Sequence, residues 1–297
     1  MDQRLLLMHQ VMLADRPRLD AYDRALASVV TAGDVVADVG AGTLVLSMLA
    51  LKHGAEHVYA IEADPAMAAV AERIVADNGL RDRVTLVQGD ARTAKLPQPV
   101  DVIVSEMMGN LGPEEQMVEI LGSVARRNLR PGGAIVPRRL TTHLAAIQFD
   151  EEGWGMWGDV VPGYRFDSVQ EFVEPQPQLH FFQREPRFLT EPVLLSDDPI
   201  TPASTSRPHR EMRLPVRRDG CLQAVMGYFT AELAEGEPLS NYPSYPGCNW
   251  AVWVWPLRHT AVAAGDEIRV TVDVPRGRGQ VRDATAWRLD CGIVRRP

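Results

Sequence analysis

Cysteine is scarce in this 297-residue chain: Cys221, Cys248 and Cys291 are too few and too far apart for a zinc site or a disulfide framework. Three free thiols suit a reducing compartment, so a cytoplasmic location is expected. Lysine stands only at Lys52 and Lys95, and arginine carries the remaining positive charge. The 31 basic residues face 39 acidic ones, for a formal charge of −8 and a pI near 5.4. That balance argues against a nucleic-acid partner. It mildly favours a basic or cationic one, and ordinary acidic solubility explains it as well. No apolar run reaches membrane-spanning length, and Leu5–Met8 is too short for the apolar stretch of a signal peptide, so no membrane role is expected. Neither an internal repeat nor a low-complexity tract is present.

What the chain does have is concentrated in residues 34–62, which read as strand, glycine turn, helix, strand and acidic cap. Val35, Val36, Ala37 and Val39 form a short apolar run, as in a strand buried on both faces, with Asp38 near its end. Gly40 and Gly42 open a tight turn where a ligand can approach the backbone. Thr43 is placed to cap the next helix, whose Leu46, Leu49, Ala50 and His53 fall at helical spacing before Gly54 stops it. Val58–Ile61 is the second strand, and Glu62 ends it where a carboxylate commonly holds ribose hydroxyls. A dinucleotide loop needs a third glycine at the position of Val45, so that a pyrophosphate can rest on the helix N-terminus. An acid-x-Gly-x-Gly loop with a later acidic residue instead fits S-adenosyl-L-methionine, which carries no phosphate. A glycine turn in some other α/β protein is the plain alternative.

Residues 1–30 read as helix, with Leu5, Leu6, Met8, His9, Met12 and Leu13 on one face and a break at Pro17. Strand and helix then alternate: Pro65–Asn78 helical with Gly79 as its stop, Val84–Val87 and Val100–Val104 as strands, Glu114–Asn128 helical, Ala134–Val136 a strand. Such alternation means a parallel, doubly wound, Rossmann-like sheet with ligands at the strands' carboxyl ends. The texture changes after Pro137. Residues 139–149 look like a strand and 150–178 like an irregular excursion. From Arg187 onward, Phe188–Leu195, Leu222–Thr230, Asn249–Leu257, Glu267–Val274 and Ala284–Leu289 read as strands of an all-β sandwich or barrel, with Pro199–Pro208 and Glu235–Pro246 as loops. The expected division is 1–30 as helices over the cofactor, 31–138 as the binding domain and 139–297 as the β domain.

After the fourth strand comes Ser105-Glu106-Met107-Met108-Gly109-Asn110-Leu111-Gly112-Pro113-Glu114-Glu115-Gln116-Met117. Two carboxylates, Glu106 and Glu115, flank a glycine loop at the ligand edge. They would serve metal binding, although no histidine cluster accompanies them and no metal is expected. They would equally serve general acid–base chemistry, or a bidentate clamp on a planar guanidinium. By default Glu115 is a helix-start carboxylate, and His9 and Met12 are core residues.

These segments resemble the protein arginine methyltransferase family. The family's Ser-Glu-x-Met-Gly loop with a second glutamate matches Ser105, Glu106, Met108, Gly109 and Glu115. Its His-x-x-Met-Leu-x-Asp-x-x-Arg matches His9, Met12, Leu13, Asp15 and Arg18. The resemblance implies a Rossmann-like domain followed by a β-barrel with a dimerisation arm at about 150–178, echoed in Trp154, Trp157 and Tyr164-Arg165-Phe166-Asp167. It implies a homodimer, and S-adenosyl-L-methionine as cofactor. Cofactor contacts are implied at His9, Met12, Arg18 (on the methionine carboxylate), Asp38, Gly40, Gly42, Glu62, Asp90, Ala91, Glu106 and Met117. Substrate contacts are implied at Glu106, Met108, Glu115, Asn249 and Trp250, with Glu106 and Glu115 catalytic.

Several positions depart from the family. No Tyr-Phe-x-x-Tyr helix precedes His9, Asn249 replaces a histidine, Leu44 replaces a third glycine, and Arg92 stands near the adenine position, where Asp90 would take over. A shortened lid and an altered barrel loop suit a small guanidine. Relatives in actinobacterial natural-product pathways of the streptozotocin type N-methylate free arginine, so free L-arginine or a small guanidino metabolite is the expected substrate. An arginine-containing peptide or protein is the alternative. A catalytically silent, dimeric cofactor-binding scaffold and a methyltransferase for another metabolite are further alternatives, and the presence of both Glu106 and Glu115 argues against the scaffold.

Overall fold

The computed structural model describes residues 3–149, 161–166, 168–169, 172, 176–182, 184–206, 208–245, 250–273 and 287–296. The chain opens with α1 (Gln3–Ala14) and α2 (Arg16–Val29). Asp15 separates them and caps α2 by accepting from the Arg18 amide at 3.3 Å, while Pro17 sits in the first turn, where its missing N–H costs nothing. Helix α2 buries Ala21, Tyr22, Ala25 and Leu26. On α1 the expected apolar face is only partly used: His9 and Met12 turn inward, whereas Leu7, Met8 and Val11 are exposed.

A five-stranded sheet follows, built from β1 (Val35–Val39), β2 (His57–Glu62), β3 (Val84–Gln88), β4 (Val100–Ser105) and β5 (Leu129–Val136). All its pairings are parallel and the order is β3-β2-β1-β4-β5. Crossovers are made by α3 (Val45–Lys52), α4 (Pro65–Asp77) and α5 (Met117–Asn128). The strand order reverses between β1 and β4, so the crevice beyond their carboxyl ends is the natural ligand site. The glycine turn and the Glu106 loop both start there. Helix α2 is fixed over this edge by the Tyr22 hydroxyl, which donates to the Ser105 carbonyl at 2.7 Å.

Two local expectations need correction. Thr43 does not cap α3; the cap is Leu44, in the left-handed region at φ 64°, and Asp38 supplies the missing acceptor by taking the Ser47 amide. Nor does a helix run unbroken from Glu114. A 3-10 turn (Pro113–Glu115) comes first, Gln116 then adopts φ 59°, and α5 begins only at Met117.

The remainder is antiparallel, as expected of an all-β unit. Its strands are β6 (Arg139–Gln148), β7 (Gln178–His180), β8 (Arg187–Phe188), β9 (Val193–Pro199), β10 (Glu211–Pro215), β11 (Gly220–Ala234), β12 (Glu237–Ser240), β13 (Val252–Val262), β14 (Glu267–Asp273) and β15 (Arg288–Val294). One sheet runs β7-β13-β11-β6-β8, with β9 on β6 and β12 on β11; a second runs β10-β14-β15. Strands β7, β10 and β12 were not expected, because three to five residues carry too little alternation to stand out. Trp154, Trp157 and Asp167 of the expected arm, and Cys248 and Asn249, lie outside the described residues. Tyr164 and Phe172, within the same stretch, are exposed. Among the described residues no helix is long and apolar enough to cross a membrane.

The antiparallel part grips the Glu106 loop through buried polar side chains. Thr142 Oγ1 donates to the Leu111 carbonyl at 3.0 Å. Asn241 accepts from the Phe229 amide at 2.8 Å and donates to the carbonyls of Asn110 at 2.7 Å and Ala251 at 2.8 Å. Asn241→Ala would leave the buried Phe229 amide without a partner, so a loss of about 2–4 kcal/mol is expected. Urea unfolding monitored by tryptophan fluorescence checks this; a loss under about 0.5 kcal/mol would mean that the three bonds are dispensable.

Candidate functional site

Beyond β1 and β4 lies a cleft of about 510 Å³, open to solvent on one side. Of the residues singled out in the sequence, His9 and Met12 reach it from α1, Arg18 from α2, Asp38, Gly40 and Gly42 from the glycine turn, and Glu106 from β4. The turn has no room for side chains. A Cβ on Gly42 would lie 2.6 Å from His9 Cε1, and one on Gly40 would lie 2.9 Å from Met107 Sδ. Burial pushes the His9 imidazole below its ordinary range, with Glu62 opposing, which favours a neutral ring over the turn.

Two carboxylates shape the turn. Glu62 accepts from the Gly42 amide at 2.9 Å and the Asp64 amide at 2.8 Å. A phosphate at this turn would need the Gly42 N–H that Glu62 already holds, and would meet a like charge. The turn therefore suits a ligand without phosphate. A carboxylate has about four acceptor positions, so Glu62 keeps capacity for hydroxyls. Asp38 faces the helix rather than only the cleft, accepting from the Ser47 amide at 2.9 Å and hydroxyl at 2.6 Å. It anchors the N-terminus of α3.

Arg18 is the cation of the cleft. Its Nη1 donates to Glu106 Oε2 at 2.8 Å, its Nε lies 3.3 Å from Asp15 Oδ2, and its guanidinium stacks 3.3 Å from the centroid of the Trp250 ring. Burial raises the Glu106 carboxyl; the Arg18 guanidinium and the Met108 amide, 3.2 Å from Oε1, oppose that rise. Trp250 also lines a second pocket of about 340 Å³, walled by His180, Phe182, Tyr242 and Tyr245.

Other named residues stand apart. Asp90 is exposed and accepts from the Arg92 amide at 2.9 Å, and Ala91 packs on the core beyond β3. Met108, in the loop that carries Glu106, and Met117, the first residue of α5, are both buried. Glu115 is exposed, whereas its neighbour Glu114 is buried. Glu114 accepts from the Leu111 amide at 2.6 Å and Trp253 Nε1 at 2.9 Å, and burial raises its carboxyl. In the sequence Glu114 stood out only as the first residue of an expected helix, because nothing local marks a carboxylate that turns inward.

The donor set fits S-adenosylmethionine: Glu62 for ribose hydroxyls, Arg18 for an amino-acid carboxylate, and a glycine turn roofed by His9 for the nucleoside. Residues 36–133 match the Methyltransferase domain family. Protein arginine N-methyltransferase 1 of Chlamydomonas reinhardtii is 28% identical over 314 residues, covering 95% of this chain and 90% of that protein. Arabidopsis thaliana protein arginine methyltransferase 10 superposes with a TM-score of 0.78 at 24% identity, over 98% of this chain and 93% of that one. The Trypanosoma brucei PRMT1 enzyme-prozyme heterotetrameric complex with AdoHcy contains a chain that matches with a TM-score of 0.76 at 24% identity, over 97% and 98%.

Burial moves the Asp38 carboxyl up from 3.8 to about 6. The folded state therefore holds this proton more tightly than the unfolded chain does. The resulting stabilisation is full below about pH 4 and is lost as pH rises through about 6, on the order of 3 kcal/mol. In Asp38→Asn this contribution vanishes, so the variant's stability relative to wild type is expected to improve between pH 4 and 7. Urea midpoints at the two pH values check it; an unchanged difference would show that Asp38 does not titrate in this range.

Proposed function

Because the chain belongs to the protein arginine methyltransferase family, within the class I S-adenosylmethionine-dependent methyltransferases, we propose that it methylates a guanidinium nitrogen of arginine in a protein or peptide. One observation carries this reading: the site already holds a guanidinium, that of Arg18, between the Glu106 carboxylate and the Trp250 ring. The sequence favoured free L-arginine. That preference rested on Asn249, which lies outside the described residues, and on the residues before His9. A relative named protein arginine N-methyltransferase 1, similar over about nine-tenths of both chains, supports the peptide reading better. A cytoplasmic homodimer belongs to the same proposal, supported by the family and by the exposed Tyr164 and Phe172.

S-adenosylmethionine supplies an electrophilic methyl group on a sulfonium. Glu62 would hold its ribose and Arg18 its carboxylate, with His9 and Met12 over the cleft. Glu106 accepts N–H groups of the acceptor guanidinium and draws positive charge toward the nitrogens it contacts, so the remaining nitrogen keeps lone-pair density. Most of the rate comes from this positioning, and from the carboxylate's field on charge moving toward the guanidinium. Glu115, exposed on the 3-10 turn, enters this proposal as the second carboxylate on the family resemblance alone.

The test is transfer of labelled methyl from S-adenosylmethionine to an arginine-rich peptide and to free L-arginine in parallel, read by mass. Labelled peptide is expected; label only on free arginine would overturn the proposal in favour of a small-molecule enzyme. Glu106→Gln is expected to lower kcat by on the order of 10²–10³-fold while S-adenosylhomocysteine still binds. Near-full activity of that variant would remove the carboxylate clamp.

A further inference from the structure

Glu114 is a buried carboxyl that neither lines the cleft nor belongs to the clamp. Its side chain folds back across the loop that carries Glu106. Oε1 takes two donors, the Leu111 amide of that loop at 2.6 Å and Trp253 Nε1 of β13 at 2.9 Å. Oε2 is buried with no hydrogen-bond partner, and a Cβ on Gly109 would lie 2.5 Å from it. An unpartnered buried oxygen costs stability, and an apolar side chain of similar shape would avoid that cost. What the carboxyl provides instead is a junction between two units of the chain. On one side stands a fixed frame: the buried rings of Trp253 and Trp255 have centroids 6.2 Å apart, and Trp255 Nε1 donates to the carbonyl of buried Trp287 at 3.2 Å. Trp250 lies just before this strand. On the other side stands the loop, where the Met108 amide is 3.2 Å from Glu106 Oε1 and the Leu111 carbonyl accepts from Thr142 Oγ1 at 3.0 Å.

Resting on the arginine reading of the site, we propose that Glu114 is a positioning residue for methyl transfer: through Trp253 it sets where the Glu106 carboxylate stands relative to Trp250, and so how the acceptor nitrogen is aligned with the methyl group. Alignment of this kind is steep in distance, since a misplacement of about 1 Å can lower a rate by about 10²-fold. Glu114 acts here as a hydrogen-bond acceptor and not as a charge, because Oε1 alone carries both bonds. Burial raises its carboxyl, which accords with a group that works in its neutral form. Its role is separate from that of Glu115, which is exposed.

The experiment is steady-state methylation of an arginine-rich peptide by wild type, Trp253→Phe, Glu114→Gln, Glu114→Ala and the double variant of Glu114→Ala with Trp253→Phe. The Kd of S-adenosylhomocysteine is measured on each. Trp253→Phe keeps a buried ring and removes the N–H; it is expected to lower kcat by about tenfold, with the Kd of S-adenosylhomocysteine within about twofold of wild type. Glu114→Ala is expected to lose at least as much, and the double variant no more than Glu114→Ala, because both changes break one link. Glu114→Gln keeps the acceptor oxygen and is expected to stay within about threefold of wild-type kcat. Wild-type kcat in Trp253→Phe would overturn the proposal, and so would a Glu114→Gln loss as large as that of Glu114→Ala. Losses that multiply in the double variant, or a Kd that weakens in step with kcat, would reduce Glu114 to a packing role. Trp253→Phe and Glu114→Gln decide the matter even where Glu114→Ala does not fold. A wild-type protein that methylates no arginine peptide would instead overturn the arginine reading on which the proposal rests.

Discussion

The site depends on one buried ion pair, Arg18 with Glu106, stacked on Trp250. Three parts of the chain that are far apart in sequence meet in it: the second helix, the end of the fourth parallel strand, and the loop just before β13 of the antiparallel unit. Breaking a buried pair by removing one partner leaves the other charge stranded, at a cost of about 3–5 kcal/mol. The supporting contacts hold this junction closed. Tyr22 ties α2 to the backbone next to Glu106, and Asn241, Thr142 and Trp253 tie the loop after Glu106 to the antiparallel sheets.

The same economy of charge decides the ligand. Glu62 spends an oxygen on the Gly42 amide, which removes the donor a phosphate would use and leaves a negative field at the ribose end. Arg18 puts a positive field at the other end. A nucleoside with a terminal amino acid matches that gradient, and a dinucleotide does not. Leu44 shows what the missing third glycine costs. It sits at φ 64°, where an L-residue loses about 1 kcal/mol, and its fully buried side chain offsets that.

Much of this was legible in the sequence, for physical reasons. The parallel sheet was readable because buried strands are continuous apolar runs and glycines mark the turns. Glu62, Gly40 and Gly42 were readable because spacing along a βαβ unit fixes where they fall in space. The pairing of Arg18 with Trp250 was not, since no local pattern links a helix to a loop more than two hundred residues later. The inward turn of Glu114 was also hidden: it depends on the left-handed Gln116, a residue type that gives no hint of such a conformation. Short strands such as β7 and β12 were lost to weak alternation.

A crystal structure with S-adenosylhomocysteine and an arginine peptide bound together would test the carboxylate clamp most directly. The acceptor guanidinium is expected on Glu106, with the carboxylate of S-adenosylhomocysteine on Arg18. An acceptor guanidinium bound away from Glu106 would contradict it.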